Sequence, residues 1–245
     1  MKLRLDQYLL ENGLVNSMAK ARGLIMAGEV LINDRPENKP GTPVPNSATV
    51  RIKGGNDKKW VSRGGLKLVG ALEKWSINLT EKTCLDVGAS TGGFTDVMLA
   101  NGATRVYALD VGYGILDWKL VSDPRVVVMD RSNIRNLTPE QIPEAMDFIT
   151  TDVSFISLRK ALPPAVATLK PNGYGVALIK PQFELPPQDV EQGGVVSNPG
   201  LQKKAVDLIL EQMVNWNLKS LGTTPSPITG PKGNIEFLLY YQKLG

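Results

Sequence analysis

Between positions 82 and 241 the apolar residues gather in short continuous runs, most of them followed by a polar or charged residue. Runs of this length, without an alternating period, are typical of strands buried on both faces of a parallel sheet. The stretches between them carry helical spacing, so the pattern predicts an α/β domain. The predicted strands are 84–87, 105–109, 126–129, 147–151, 175–179, 218–223 and 235–241, and the predicted helices are 65–75, 94–101, 158–169 and 199–215.

A glycine-containing loop follows the first of these strands, and a helix is expected to begin where the loop ends. Strand, glycine loop and helix in this order open the nucleotide crevice of many α/β sheets, because glycine lets a ligand approach the backbone. We therefore predict that a nucleotide-containing ligand contacts this loop. Its residues are Gly88, Ala89, Ser90, Thr91, Gly92, Gly93 and Phe94.

The first 58 residues have a different pattern, with two short amphipathic helices followed by short strands at 30–32 and 49–52. Leu5, Leu9 and Leu10 define the apolar face of the first helix, and Ser17 is a suitable N-cap for the second. The apolar positions of the second helix are Ala21, Leu24 and Ile25, and the predicted helix ends are Gly13 and Gly28. A polar break at 54–59 follows. We predict a small α+β domain over 1–58, a linker over 59–64 and the α/β domain over 65–245.

The composition shows an uneven distribution of charge and excludes several kinds of catalytic site. The 245 residues include no histidine, which rules out histidine triads, histidine bases and most catalytic zinc sites, and no metal site is predicted. Residues 1–63 hold 11 Lys and Arg against 6 acidic residues, whereas the remainder holds 17 against 18. A basic first quarter is expected if that part meets a polyanion, although charge alone favours a solvated basic surface.

The chain also lacks the sequence features of membrane and secreted proteins. No apolar run approaches the roughly 18–20 residues that span a bilayer, and the N-terminus has no signal-peptide core. Cys84 is the only cysteine, so an internal disulfide is excluded, and we interpret it as a small apolar residue of a strand. These features predict a cytoplasmic protein.

Charges near the glycine loop indicate which nucleotide binds. Asp86 precedes the loop, and a carboxylate there would repel a pyrophosphate but suits a cationic sulfonium. Asp110 lies 22 residues after Gly88, close to the spacing at which an acid meets ribose hydroxyls. Asp130 and Asn133 offer hydrogen-bonding groups for an adenine. The loop also departs from the G-x-G-x-x-G spacing, so we expect S-adenosylmethionine rather than a nicotinamide dinucleotide as the cofactor.

Four ionisable residues that are far apart in the sequence are expected to meet at one edge of the sheet. Asp152 and Lys180 follow neighbouring predicted strands, Glu236 begins the last strand, and Lys67 begins the helix before the first strand. In chain order they are Lys, Asp, Lys and Glu. This set resembles the catalytic tetrad of the FtsJ/RrmJ-like RNA ribose 2′-O-methyltransferases, which have a Rossmann-like sheet.

The N-terminal pattern, in which Ser17, Lys20 and Gly28 precede a short strand, resembles the S4-type RNA-binding domain, with Met18 where such domains usually have Arg. The whole chain resembles the TlyA (haemolysin A) family, most specifically at 61–65, 86–94, 152–156 and 180–184. The resemblance implies methyl transfer from S-adenosylmethionine to ribose 2′-hydroxyls of ribosomal RNA, with ribosomal subunits as partners. The candidate RNA contacts are Arg4, Lys20, Arg22, Arg35 and Arg63.

The residue types of the tetrad fit this reaction. The ribose hydroxyl must lose its proton as it attacks, and a lysine can accept a proton only in its neutral form. Burial and a second ammonium favour that form, whereas carboxylates oppose it. Lys180 is the predicted base, Lys67 the neighbouring charge or positioner of the 2′-oxygen, and Asp152 and Glu236 hold the lysines. Segment 181–198 would cover the RNA or be a plain surface excursion.

Three other classes of function remain open at this stage. A haemolysin-like, membrane-active protein is suggested by the family's older name, although no strongly basic amphipathic helix supports it. A non-catalytic RNA-binding or ribosome-assembly factor would retain the fold without the chemistry. A small-molecule methyltransferase would not need the basic first quarter. The sequence leaves open the oligomeric state and the nucleotide and ribosomal subunit that are modified.

Overall fold

The computed structural model describes residues 3–12, 14–15, 17–33, 35–45, 48–52, 60–138 and 141–245. The chain divides into two compact units, Met1–Lys59 and Trp60–Gly245. The predicted break at 54–59 and the predicted helix end at Gly13 lie outside the described residues. Residues 60–64, predicted as linker, belong to the second unit, and the backbone N–H of Val61 donates to Asp96 at 2.9 Å. The predicted domain limits stay a prediction.

The first unit is a pair of helices with a small antiparallel sheet. The Ser17 hydroxyl accepts a hydrogen bond from the backbone N–H of Lys20 and caps the second helix as predicted. The prediction that Leu10 faces the core was wrong, because this side chain is 38% exposed whereas Leu5 and Leu9 are fully buried. The elements are α1 (Leu5–Glu11), α2 (Met18–Met26), β1 (Val30–Ile32), β2 (Arg35–Glu37) and β3 (Val50–Ile52), and the sheet order is β2-β1-β3.

The second unit is an α/β layer structure built on one sheet. Within the described residues this sheet has seven strands in the order β6-β5-β4-β7-β8-β10-β9, in which β10 runs antiparallel to both neighbours and the first five strands are parallel. Its elements are α3 (Gly65–Trp75), β4 (Thr83–Val87), α4 (Gly93–Ala100), β5 (Arg105–Leu109), α5 (Trp118–Val121), β6 (Val126–Met129), β7 (Met146–Thr151), α6 (Leu158–Ala167), β8 (Leu169–Ile179), α7 (Pro181–Glu184), α8 (Pro199–Gln212), β9 (Leu218–Pro225) and β10 (Phe237–Lys243).

The continuous apolar runs form strands because both faces of this sheet are covered. Successive residues of β4 alternate between two cores: Leu85 packs with residues of α6 and α8, whereas Cys84 packs with residues of α3 and α4. Cys84 is fully buried, and burial raises the pKa of its thiol. The doubly covered sheet places the ends of the parallel strands along one edge, where ligands bind in open α/β folds.

Two strand boundaries differ from the prediction. β8 begins at Leu169 rather than at 175, because residues 170–173, which form no apolar run, continue the strand through a register irregularity opposite β7. β10 begins at Phe237, so Glu236 lies in the turn before the strand rather than in it. The segment 181–198 is not a plain loop, since it contains α7 and a bridge between Glu191 and Val195.

Candidate active site

Four ionisable side chains meet at the carboxyl edge of the parallel strands. Asp152 follows β7 and Lys180 follows β8. β10 runs in the opposite direction to β8, so its beginning, preceded by Glu236, lies at the same edge. Lys67 lies on the first turn of α3. The structure therefore brings together the four residues that the sequence predicted to meet.

The four residues form one continuous chain of ion pairs. Lys67 Nζ lies 2.6 Å from Glu236 Oε2 and 3.2 Å from Asp152 Oδ2. Lys180 Nζ lies 2.5 Å from Asp152 Oδ1 and donates to Ser154 Oγ at 3.0 Å. Both lysines and Glu236 are buried, with Glu236 fully inaccessible. Two positive and two negative charges balance, which buried charges require in order to remain ionised.

The two lysines differ in their surroundings. Lys67 contacts two carboxylates, whereas Lys180 contacts one carboxylate and the hydroxyl of Ser154. Lys180 therefore has fewer carboxylate neighbours than Lys67. Ser154 was not predicted as a site residue, although it lies two residues after Asp152 and within the stretch 152–156 that carries the family resemblance.

A cavity of about 400 Å³ adjoins the chain of ion pairs on the side of the glycine loop. Its polar groups include Asp110, Asn133 and Asp152, and its walls are largely apolar. Asp110 accepts hydrogen bonds from the backbone N–H groups of Ser90 and Gly112, both at 2.8 Å, which fixes its carboxylate beside the loop. We call this space the cofactor cavity. It is lined by Val87, Gly88, Ser90, Leu109, Asp110, Val111, Ile115, Asn133, Ile134, Arg135, Asp152, Val153, Ser154, Phe155 and Ile156.

The glycine loop approaches the Asp152 backbone closely. Gly88 has a φ of +83°, and a Cβ on it would overlap the carbonyl oxygen of Asp152. A second, smaller cavity of about 120 Å³ borders the other side of the loop and also includes Asp152. Ala89, Ser90, Thr91, Gly93 and Phe94 line this smaller cavity together with Gly88. Gly92 lines neither, and a Cβ on it would overlap Leu120.

The composition of the cofactor cavity fits S-adenosylmethionine. Its volume lies within the roughly 300–1,000 Å³ of small-molecule sites. The apolar walls suit a purine, the oxygens of Asp110 suit ribose hydroxyls, and the Asp152 carboxylate suits a cationic group. Of the two residues predicted to contact the adenine, Asn133 lines the cavity and Asp130 does not. The Asp130 carboxylate instead accepts a hydrogen bond from the Gly114 backbone at 2.9 Å. Asp130 as a cofactor ligand stays a prediction.

Asp86 lies beneath the loop rather than in either cavity. Its carboxylate is 1% exposed and accepts hydrogen bonds from the hydroxyls of Thr95 at 2.7 Å and Thr150 at 2.9 Å. Burial raises the pKa of Asp86 to about 6, although the two hydroxyls oppose the rise. The sequence argument expected direct contact with a cation. In the structure this carboxylate instead connects α4 to the strands on which the loop rests, and the direct contact stays a prediction.

This raised pKa predicts a pH dependence of stability. An unfolded aspartate loses its proton near 3.8, whereas folded Asp86 keeps its proton up to about pH 6. The free energy of unfolding should therefore fall as pH rises from about 4 to about 6, by at most about 3 kcal/mol. Asp86→Asn should remove this component, so its melting temperature relative to wild type should increase between pH 4.5 and pH 7. Asp207→Asn is the control, because the Asp207 side chain on α8 is 44% exposed and pairs with Lys203 at the surface of that helix. A constant difference across this range would contradict the prediction.

Comparisons with known proteins identify the family. The family model of FtsJ-like methyltransferases matches residues 60–243, and the S4 domain model matches residues 3–50. The 16S/23S rRNA (cytidine-2′-O)-methyltransferase TlyA of Mycobacterium tuberculosis is 44% identical over 239 residues, which cover 98% of this chain and 89% of that protein. The chain belongs to the TlyA family of FtsJ-like methyltransferases. Hemolysin A of Brachyspira hyodysenteriae is 38% identical over 240 residues, covering 98% of this chain and 99% of that protein.

Solved structures agree with this family assignment. A putative hemolysin from Streptococcus thermophilus has a TM-score of 0.78 and 39% sequence identity, over 99% of this TlyA-family chain and 89% of that one. A putative hemolysin from Lactococcus lactis has a TM-score of 0.73 and 47% identity, over 76% of this chain and 89% of that one. The predicted fold, a Rossmann-like methyltransferase sheet preceded by an S4 domain, is confirmed.

The basic residues that the TlyA resemblance marked as RNA contacts are on the surface, but two of them are already paired. Arg4 and Arg22 both hydrogen-bond to buried Asp6, and the Arg4 guanidinium holds the pKa of that carboxyl at about 2. Both guanidinium side chains remain about half exposed, so they can still meet a phosphate. Lys20, Arg35 and Arg63 are exposed. Their role in RNA binding stays a prediction.

A third cavity, of about 300 Å³, lies on the other side of Lys180. Lys180 and Glu236 line it, and it shares Ser154 and Phe155 with the cofactor cavity. Phe155 is 92% exposed and has a left-handed φ of +63°, a conformation that bulky non-glycine residues rarely adopt. The ion-pair chain of this TlyA-family protein therefore lies between two cavities, which we call the cofactor cavity and the acceptor cavity. The sequence predicted the first cavity but not the second.

Proposed function

We propose that this protein transfers a methyl group from S-adenosylmethionine to a ribose 2′-hydroxyl of ribosomal RNA. The observation that carries the proposal is the position of the Lys67, Asp152, Lys180 and Glu236 chain between two cavities. A transferase of this kind needs a donor site and an acceptor site that adjoin each other, with the groups that move the proton beside the point where they meet. Its relative from Mycobacterium tuberculosis carries the name of an rRNA 2′-O-methyltransferase, which supports the same reaction.

In this proposal each of the four residues of the ion-pair chain has its own role. Lys180 lines the acceptor cavity and takes the proton from the attacking 2′-hydroxyl. Lys67, which contacts two carboxylates, orients Asp152 and the hydroxyl oxygen. Asp152 borders both the acceptor-side lysine and the cofactor cavity, so it fixes the distance between donor and acceptor. Glu236 compensates the charge of Lys67 inside the protein.

S-adenosylmethionine, when bound, supplies a methyl group made electrophilic by its sulfonium charge. Asp110 would hold the ribose of this cofactor, and the apolar residues of the cofactor cavity would contact its adenine. Attack by an oxygen anion on a cation removes charge, so a site that excludes water favours the reaction. The burial of Lys67, Lys180 and Glu236 meets this requirement.

The first unit would supply RNA affinity rather than chemistry. It matches the S4 domain model and carries exposed basic residues, and it contributes no residue to the ion-pair chain. Contacts from Lys and Arg to phosphates provide most sequence-independent affinity for RNA and fall with rising salt. We therefore propose ribosomal RNA or a ribosomal subunit as the partner, bound mainly through the first unit.

The test is methyl transfer to ribosomal particles. Purified protein with tritiated S-adenosylmethionine should label ribosomal RNA in isolated subunits, and mapping should find the label on a ribose 2′-oxygen. Particles reconstituted with 2′-deoxyribose at the mapped position should take up no label. Label on the deoxy substrate would indicate a base methyltransferase instead, and absence of label from both subunits would contradict the proposed reaction.

The name of the Brachyspira relative raises membrane activity as a second function. The part of the chain that the structure describes has no helix long and apolar enough to cross a membrane. Leakage of dye from liposomes by the purified protein would support this second function, and we include it as the comparison assay.

A further inference from the structure

One of the stretches that carry the family resemblance, 180–184, ends in a buried acid that has no part in the proposed chemistry. Glu184 is 2% exposed and lies at the end of α7, four residues after Lys180. It lines neither the cofactor cavity nor the acceptor cavity. Burial raises the pKa of its carboxyl. An acid removed from water costs free energy unless other groups bind it, so the position of Glu184 requires an explanation.

The beginning of α6 binds the Glu184 side chain. Its Oε2 accepts a hydrogen bond from the Ser157 hydroxyl, and its Oε1 accepts one from the backbone N–H of Leu158 at 2.8 Å. Arg159 Nε lies 3.9 Å from Oε2, and the same guanidinium donates to the Glu184 backbone carbonyl at 3.1 Å. The first N–H groups of a helix have no partner within the helix, and a negative charge beside them is favourable. These contacts compensate the burial of the acid.

The buried acid and its partners lie on two segments that leave the sheet side by side. β7 and β8 are adjacent parallel strands, and each continues past the edge of the sheet into one of these segments. We call residues 152–157 the aspartate segment and residues 180–184 the lysine segment. The last pairing between the two strands is Thr151 with Ala177. Beyond it, side-chain contacts rather than the ladder between these strands join the two segments.

These contacts join the two segments at both of their ends. At the end near the sheet, Lys180 pairs with Asp152 at 2.5 Å and donates to Ser154 at 3.0 Å. At the far end, Glu184 accepts from Ser157, the last residue of the aspartate segment. The bond at the far end therefore fixes the segment that presents both partners of the proposed base.

The conformation of the aspartate segment needs this support. Phe155, in the middle of the segment, has the left-handed φ of +63°. Its side chain is 92% exposed, so burial of the ring contributes little to holding it. Bulky residues keep such a backbone conformation where the surrounding structure holds it. If the far end were released, the segment could relax and move Ser154 and Asp152 away from Lys180.

We propose that Glu184 is a positioning residue for methyl transfer, which keeps Lys180 and its partners in the arrangement that accepts the proton. The proposal rests on the function proposed above and adds a residue that acts through Lys180 without touching the substrate. Its loss should slow the chemical step, because a displacement of about 1 Å can cost about 100-fold in rate. Cofactor affinity should change less, since the aspartate segment forms only part of the lining of the cofactor cavity.

The test is a double-mutant cycle with Lys180. Single-turnover methyl transfer to ribosomal subunits is measured for the full-length wild type, Glu184→Ala, Lys180→Ala and the double variant. Glu184→Ala should be about 10–100-fold slower than the wild type. In the Lys180→Ala background the same change should lower the residual rate by less than about threefold, because the residue through which Glu184 acts is already absent. A role confined to stability would lower both rates by the same factor and would overturn the proposal.

Two further variants test the hydrogen-bonded link itself. Glu184→Gln retains an oxygen for the backbone N–H of α6 and an amide group that can bind Ser157, so it should recover most of the lost rate. A glutamine variant as slow as the alanine variant would contradict the link. Ser157→Ala breaks the same link from the other side and leaves Glu184 in place, so it should also slow transfer, by a smaller factor.

The matched control is Glu144→Ala. Glu144 accepts hydrogen bonds from Arg105 at 3.0 Å and Tyr107 at 2.9 Å, at the edge of the sheet opposite the ion-pair chain. This variant also loses a carboxylate with several partners, but it should transfer methyl groups at the wild-type rate. A control as slow as Glu184→Ala would show that the rate follows stability in general, and the positioning role would be rejected.

The remaining outcomes separate this proposal from the proposed function. Wild-type rates in both Glu184→Ala and Ser157→Ala overturn the positioning role and leave the methyltransferase function intact. A wild type that labels neither ribosomal subunit overturns the proposed function itself, and this inference fails with it.

Discussion

Replacing Lys180 with alanine is expected to reduce methyl transfer to ribosomal RNA by about 10²–10⁴-fold, the usual contribution of a general base. The affinity for S-adenosylmethionine should hardly change, because Lys180 lines the acceptor cavity and not the cofactor cavity. The protein should remain folded, since Lys67 still contacts Asp152 and the remaining charge is partly compensated. Single-turnover transfer and calorimetric titration with the cofactor measure the two effects separately.

A second variant, Lys180→Arg, distinguishes the role of Lys180 as a base from the role of its positive charge. Arginine keeps the positive charge beside Asp152 but cannot give up its proton in a protein. If Lys180 acts as the base, the arginine variant should be as inactive as the alanine variant. If Lys180 acts only through its charge, the arginine variant should recover much of the activity, and the base assignment would then be rejected. Lys170→Ala is the matched control, because Lys170 pairs with Asp147 at the opposite edge of the sheet.

Replacing Gly88 with alanine is expected to weaken S-adenosylmethionine binding by about 10–100-fold, as overpacking of 1–3 kcal/mol implies. The residue has a φ of +83°, which disfavours alanine, and the added methyl group would overlap the carbonyl oxygen of Asp152. The loop and the strand end must therefore separate. Since Asp152 lines the cofactor cavity and holds both lysines, methyl transfer should fall more than binding does.

The control for Gly88 is Gly28→Ala in the first unit. Gly28 also has a positive φ, of +68°, but a Cβ on it would meet no atom within 4 Å. In this variant the alanine takes an unfavourable backbone conformation but its Cβ overlaps no other atom. It should bind S-adenosylmethionine as the wild type does. Equal cofactor affinity in Gly88→Ala and wild type would show that the cofactor does not depend on this loop.

The strands of the second unit could be predicted from sequence because a strand that is buried on both faces is a continuous apolar run. β5 and β6 have the predicted limits, and β4 differs by one residue. β2 (Arg35–Glu37) was missed, because an exposed strand of Arg, Pro and Glu has no apolar run, and its pairing with β1 is made by the backbone. Leu10 was misplaced because it follows Leu9 directly and therefore points about 100° away from it around the helix, so it faces away from the core.

The site was predictable to the extent that strand order fixes which residues become neighbours. Asp152 and Lys180 follow adjacent parallel strands, and that adjacency follows from an α/β pattern. Glu236 required the family resemblance, because nothing in the periodicity shows that β10 enters the sheet between β8 and β9. The position of Asp86 was not predictable, since its partners Thr95 and Thr150 have no distinctive spacing. The acceptor cavity depends on contacts between the turn before β10 and segment 191–197.

The insertion of β10 between β8 and β9 has a consequence for the order of events during synthesis. β9 is made before β10, yet in the sheet it pairs with β10 alone, so it has no place in the sheet until β10 emerges. Glu236, the residue directly before that strand, arrives at the same moment. In the nascent protein, therefore, the pairing of β9 with β10 and the pairing of Lys67 with Glu236 both form late, in the same step. Until residues beyond 236 have left the ribosome, Lys67 lacks one of its two carboxylate partners.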